Sequence, residues 1–180
     1  MKKLFSLLLL AACALRAQET ISLGSHGRLV LYLAGGWVID ESNLANRGTW
    51  TIVPKDEAVN ASCVITVTYP EVDRFDTKAR LKLRVEADRH GMAEGSVEGK
   101  AVAKELTLTS GYGFLCSFTD PELRGKPPQK GNFKVMSIGR IRLAPDVLLE
   151  ISISADGFRD EPYQQLLGAI EGMEFRVGGR

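Results

Sequence analysis

Alternation constrains this chain more than any other feature. In run after run, two sets of side chains trade places every second residue. Leu29, Leu31 and Leu33 alternate with Arg28, Val30 and Tyr32, and after Gly35-Gly36 the run resumes over Trp37 to Asp40. Trp50 and Ile52 alternate with Thr49 and Thr51; Cys63, Ile65, Val67 and Tyr69 alternate with Ser62, Val64, Thr66 and Thr68. Tyr112, Phe114, Cys116 and Phe118 share a face, and Val147, Leu149, Ile151 and Ile153 oppose Glu150, Ser152 and Ser154. A strand turns successive side chains to opposite sides of its sheet, so a period of two marks half-buried strands. Segments 100–109 and 132–143 read as two more strands. The breaks between runs are short, as in hairpins.

Two segments read as helices. Tyr163, Leu166, Leu167 and Ile170 stand at i, i+3, i+4 and i+7 within 161–172, with Asp160 as cap and Pro162 tolerated in the first turn. Residues 77–92 carry both periods. Phe75, Ala79, Leu83 and Ala87 make an i+4 row, whereas Leu81, Leu83 and Val85 alternate with charged residues. Length, good helix formers and Asp76 as a cap favour the helix. Runs of strands with helices between and after them predict an α+β domain, an antiparallel sheet flanked by helices. The strand–helix alternation of a doubly wound nucleotide fold is absent.

The first residues read as an address. Lys2 and Lys3 precede an apolar stretch from Leu4 to Ala12, followed by small residues up to Ala17. That is the order of a secretory signal. The apolar run is about ten residues, against the ~20 that a membrane-spanning helix needs. Cleavage after Ala17 makes residues 1–17 a signal peptide and Gln18 the new start. It leaves 18–24 as a short leading segment and 25–177 as the folded domain. Leu10-Ala11-Ala12-Cys13 also matches a lipobox, in which Cys13 takes the lipid. Ordinary secretion is favoured because a twelve-residue lipoprotein signal is short. The expected placement is therefore periplasmic or extracellular, with membrane attachment only if Cys13 is lipidated.

Without Lys2, Lys3 and Arg16, the 23 Lys and Arg become 20, against 22 Asp and Glu. A near-neutral chain offers no electrostatic case for a nucleic acid. The stretch "RGKPPQKGNFK", residues 124–134, concentrates four cations, but its prolines and glycines mark a solvated loop. Cys63 and Cys116 remain in the exported chain. They could pair in an oxidising compartment or stay as buried free thiols, and spacing alone does not choose.

No phosphate loop, nucleophile elbow or metal-ligand cluster is present, so no cofactor and no metal are expected. The histidines are His26, in a loop, and His90, near a helix end, and both read as surface or structural. Four loop acids, Asp73, Asp76, Asp120 and Glu122, are the first residues to try for carboxylate catalysis in a secreted hydrolase. Acids are expected in loops and at helix starts without any catalytic task.

"GRLVLYLAGGWVIDES", "GYGFLCSFTD" and "YQQLLGAIEGMEF" stand in an order that resembles PsbP-like domains, over residues 25–177. The resemblance implies an antiparallel sheet flanked by helices. The family includes the extrinsic PsbP subunit of photosystem II, bacterial envelope proteins such as DcrB, and exported bacterial proteins of unknown role. It has no shared catalytic set, so no active-site residue carries over. The expectation is a non-catalytic binding or accessory module of the cell envelope. Its partner would be a protein or small ligand there, met by loops such as 120–132.

Overall fold

The computed structural model describes residues 16–40 and 48–178. Residues 1–15, Cys13 included, are most of the stretch expected to be a signal and lie outside the described residues. The chain begins with β1 (Arg16–Ser22), β2 (Arg28–Ala34), β3 (Trp37–Asp40), β4 (Thr49–Pro54) and β5 (Ser62–Thr68). Helix α1 (Lys78–Asp88) and the short α2 (His90–Glu94) follow. Next come β6 (Lys104–Glu105), β7 (Tyr112–Thr119), β8 (Val135–Ala144) and β9 (Val147–Ala155). Helix α3 (Glu161–Glu171) and β10 (Glu174–Arg176) complete the order.

Seven strands form one sheet in the order β3-β4-β5-β9-β8-β7-β6, and β1-β2-β10 form a smaller one. Every pairing between named strands is antiparallel. The chain crosses between sheets at the turn after β2, where Gly36 adopts φ 102°, a conformation that L side chains resist. The molecule is thus an α+β domain of antiparallel sheets and helices.

The large sheet has two clothed faces. One carries Cys63, Ile65, Ile141, Leu149, Ile151 and Ile153, all buried; α3 packs there through Tyr163, Leu166 and Ile170, and β2 through its three leucines. The other carries Phe114, Cys116, Phe118 and Leu148, covered by Leu81 and Val85 of α1 and by Ala93 of α2. Fully burying one such aliphatic side chain contributes about 1.5–3 kcal/mol, so both faces draw the helices in.

Several expectations need correction. The helix expected over 77–92 forms as α1 and α2, but the buried stripe is Leu81 and Val85 and not the row through Ala79, Leu83 and Ala87; Leu83 is 67% exposed. The cap of α1 is Thr77, whose Oγ1 accepts from the Arg80 amide at 3.3 Å, while Asp76 holds the Arg80 side chain instead. Asp160 occupies the N-cap place of α3 but makes no side-chain cap bond. Segment 100–109 gives a strand of two residues only. Beyond it Thr107 donates its amide to the Glu171 carboxylate, and Thr109 donates to the Glu171 carbonyl, so α3 draws the chain off the sheet edge. Strands β1 and β10 carry no legible alternation; residues 18–22, read as a leading segment, pair with β2.

Candidate functional site

A cleft of about 560 Å³ opens where α3 passes the β6–β7 edge. Its apolar walls include Leu106, Leu115, Phe158 and Leu167, with Tyr163 beneath. Phe158 meets the Tyr163 ring edge-on, centroids 5.4 Å apart, which fixes the ring. From the cleft a line of hydroxyls runs into the protein. Ser117 Oγ lies 2.7 Å from Ser137 Oγ, and Ser137 Oγ lies 2.6 Å from Tyr163 Oη. Ser137 is fully buried, at 0% exposure, while Ser117 and Tyr163 line the cleft. Register explains the line: Ser117 pairs directly with Ser137 across β7 and β8, so both point to the α3 side.

Charge surrounds the mouth unevenly. Lys104 pairs with Leu115 across the edge and so shares its face, whereas Glu105 turns to the other face and pairs with Lys78. Glu98 accepts from the Thr119 amide and hydroxyl, each at 2.8 Å. Partial burial pushes the Glu98 carboxyl up, and the bonds from Thr119, Ser96 and its own backbone together more than reverse this, leaving it below its ordinary value. Glu171 is held by Thr107 at 3.1 Å. Glu105 is thus ion-paired, Glu98 and Glu171 are held by neutral donors and keep their charge, and Lys100 and Lys104 have no ionic partner among the described residues.

A second cleft, about 590 Å³, lies on the opposite side of the sheet, beside α1. It is lined by Thr66, Thr68, Arg74, Phe75, Arg140 and Glu150 among others. Here the polar groups are ions in series. Arg84 contacts Asp88 at 2.9 Å, Asp88 contacts Arg140 at 2.6 Å, Arg140 contacts Glu150 at 3.4 Å, and Glu150 contacts Arg89 at 2.8 Å. Nearby Arg142 grips Asp73 with two nitrogens and lies over the Tyr112 ring, its guanidinium carbon 5.6 Å from the centroid. The Arg142 hydrogen bonds hold the Asp73 carboxyl below its ordinary value.

The four acids singled out from sequence do not converge. Asp73 is held by Arg142 and Asp76 by Arg80, beside the start of β7. Asp120 follows the other end of that strand and accepts the Glu122 amide at 2.8 Å. An eight-residue strand separates the pairs by roughly 26 Å at ~3.3 Å per residue. Neither pair presents two free carboxylates to one space. His26 binds Asp146 at 2.7 Å and stacks on Tyr69; His90 is exposed near Glu94. Cys63 and Cys116 are free thiols. They lie on opposite faces, three strands apart, which is roughly 14 Å at ~4.8 Å per strand and far beyond disulfide reach. Burial pushes Cys63 up to about 12 and Cys116 up to about 11, so neither is a thiolate at neutral pH. The basic loop is tied down: Asn60 donates to the carbonyls of Gln129 and Asn132 and accepts from the Gly131 amide.

Sequence reasoning passed over Ser117, Ser137, Lys100 and Lys104. A signal was available for the serines. Ser137 sits in a core row between Val135 and Ile141, and a polar residue there must find a buried partner. The lysines carried none, because the acids that come to lie beside them are set by the fold.

No family model matches this chain, and comparison with curated proteins finds no match. Solved structures do resemble it. A crystal structure from Bacteroides thetaiotaomicron is 8% identical, with a TM-score of 0.52, covering 84% of this chain and 46% of that one. The chain therefore spans about half of that protein's length. A point mutant of protein Mog1 is 18% identical over 88% of this chain and 95% of that one, with a TM-score of 0.50. The Saccharomyces cerevisiae Ran-binding protein Mog1p is 18% identical over the same shares, with a TM-score of 0.49. At such identities the likeness is one of fold.

Proposed function

We propose that this chain is an exported, PsbP-like binding module of the cell envelope, which holds a small ligand in the α3-side cleft and does not transform it. The observation that carries the reading is the joining of an apolar cleft to a buried hydroxyl line that opens into it. Small-molecule sites are concave and mostly apolar, with a few placed polar groups. The polar groups here suit holding: hydroxyls bonded to one another, and acids already engaged. Export rests on the charged, apolar and small-residue order of the first seventeen residues. Cleavage after Ala17 would start the chain inside β1 and keep Gln18–Ser22 of that strand.

Two measurements test this. Intact-mass spectrometry of fractionated cells is expected to find the protein in the envelope or medium, beginning at Gln18. A diacylated Cys13 would make it a lipoprotein of the same compartment, and an uncleaved Met1 chain in the cytosol would end the export reading. A thermal-shift screen of small apolar molecules is expected to give stabilisers whose effect is lost in Leu167→Arg. Stabilisers indifferent to that change would move the site elsewhere.

A further inference from the structure

We infer that the ligand of the α3-side cleft is a neutral cyclic amide, a flat ring whose carbonyl and N–H stand side by side, docked edge-on against the backbone of Ser117. This deepens the binding reading above and rests on it. The first observation is an opening one residue long in the sheet edge. Along an antiparallel strand, alternate residues turn both amide and carbonyl to the same side. The Leu106 amide donates to the Gly113 carbonyl at 2.9 Å, and the Val97 amide to the Thr119 carbonyl at 3.0 Å, whereas the Asp120 amide turns inward to the Lys134 carbonyl just before β8. Gly113, Leu115, Ser117 and Thr119 therefore face outward. Leu115 pairs with Lys104, and Thr119 donates its amide to Glu98. Between these two, the Ser117 amide and carbonyl have no partner among the described residues. The Ser117 hydroxyl is engaged elsewhere, 2.7 Å from Ser137 Oγ. Ser117 lines the cleft, so a backbone donor and acceptor stand there side by side.

The second observation is the shape of what completes them. A ligand that bonds both groups must bring an N–H and a C=O to one side. An open-chain secondary amide is trans and turns them to opposite sides. A ring holds the amide cis and sets both on one edge. A residue within a peptide also offers such a pair, but its chain must run on along the edge, where Lys104 and Val97 already stand. The walls at Leu106, Leu115, Phe158 and Leu167 are apolar and suit the faces of a ring. The third observation is charge. Glu98 and Glu171 balance Lys100 and Lys104, and Glu105 is paired with Lys78. Nothing at the mouth then favours an ion, and the hydrogen-bonding pattern is left to select.

The test uses the mature chain and four neutral probes in titration calorimetry. They are carbostyril, a two-ring cyclic amide; its N-methyl derivative, which keeps the carbonyl and loses the donor; N-methylbenzamide, a trans amide; and acetyl-leucine methylamide, a single blocked residue. Carbostyril is expected to bind one to one and about tenfold more tightly than each of the others, because only it completes both Ser117 bonds. Its affinity should not change with salt. Amide hydrogen exchange followed by NMR should show the Ser117 N–H slowed by carbostyril and not by the N-methyl derivative. Leu167→Arg, shown to be folded by an unchanged urea midpoint, should lose carbostyril binding. Equal affinity for carbostyril and its N-methyl derivative, or carbostyril binding that leaves Ser117 exchange untouched, overturns the edge pairing. If both rings bind equally and both are lost in Leu167→Arg, the cleft remains a binding site and only the cyclic-amide inference falls. Binding of acetyl-leucine methylamide or N-methylbenzamide in preference to carbostyril also overturns it. Binding by no probe overturns it too, and the cleft reading then stands or falls on the stabilisers from the thermal-shift screen.

Discussion

The two faces of the seven-stranded sheet solve the same problem with different chemistry. On the α3 side the buried polar groups are neutral hydroxyls bonded to one another, set in an aliphatic core. On the α1 side a smaller apolar cluster is bordered by a chain of alternating charges running from α1 to β8 and β9. The difference follows from how much of each face is covered. Helix α3 and the smaller sheet exclude water from a wide area, and a charge there would be costly to desolvate. Helix α1 packs mainly over β7, and its neighbours keep partial contact with water, where ions are tolerated when paired. A cleft remains at the border of each face, and each inherits the chemistry of its side.

Truncation in the wide core should cost most. Leu166→Ala leaves a cavity between α3 and the sheet and is expected to lower stability by about 2–5 kcal/mol in urea unfolding. A loss under 1 kcal/mol would mean that the α3 side is no better packed than the other. Next comes Arg140→Met, which breaks the middle of the ion series and leaves Asp88 with Arg84 and Glu150 with Arg89 at 18% and 39% side-chain exposure. A loss of about 2 kcal/mol is expected, below the fully buried case because both acids reach water. Adding Asp88→Leu should recover part of it, and an additive double variant would show that the ions are not a network.

Smaller still, and confined to acid, is the effect of Asp73→Asn. The Arg142 bonds lower the folded Asp73 carboxyl below its ordinary value. Its contribution is therefore full above the unfolded pKa near ~3.9 and fades as pH falls through the folded value. The stability gap between wild type and Asp73→Asn should be constant from neutral pH to about pH 5 and narrow progressively as the pH falls further. A gap that widens in acid would reverse the sign. Least of all, Leu83→Glu should change stability by less than about 0.5 kcal/mol, since Leu83 faces solvent. A large loss would return the row through Ala79 and Leu83 to the buried side of α1.

The strands of the large sheet were legible in the letters because each buries one face, and a period of two records that directly. Helix α3 was legible for the same reason at a different period. The face of α1 was not. Leu81, Leu83 and Val85 are similar in character, and which of them points inward depends on where β7 lies beneath the helix. Strands β1 and β10 also left no trace. They lie at the two edges of a three-stranded sheet, and their place is set by pairing with β2 and not by a pattern of their own.

Local chemistry reads out locally. Sequence alone determined the alternation, the α+β class, the near-neutral charge and the signal-like start, because each is a property of neighbours along the chain. Tertiary structure alone decided that Cys63 and Cys116 lie on opposite faces, that Ser117, Ser137 and Tyr163 share one line, and that Glu98 and Glu171 come to the same cleft as Lys100 and Lys104. Those facts depend on strand order and register, which bring together residues tens of positions apart. A one-residue shift in register would turn Cys63, Cys116, Ser117 and Ser137 to the opposite face.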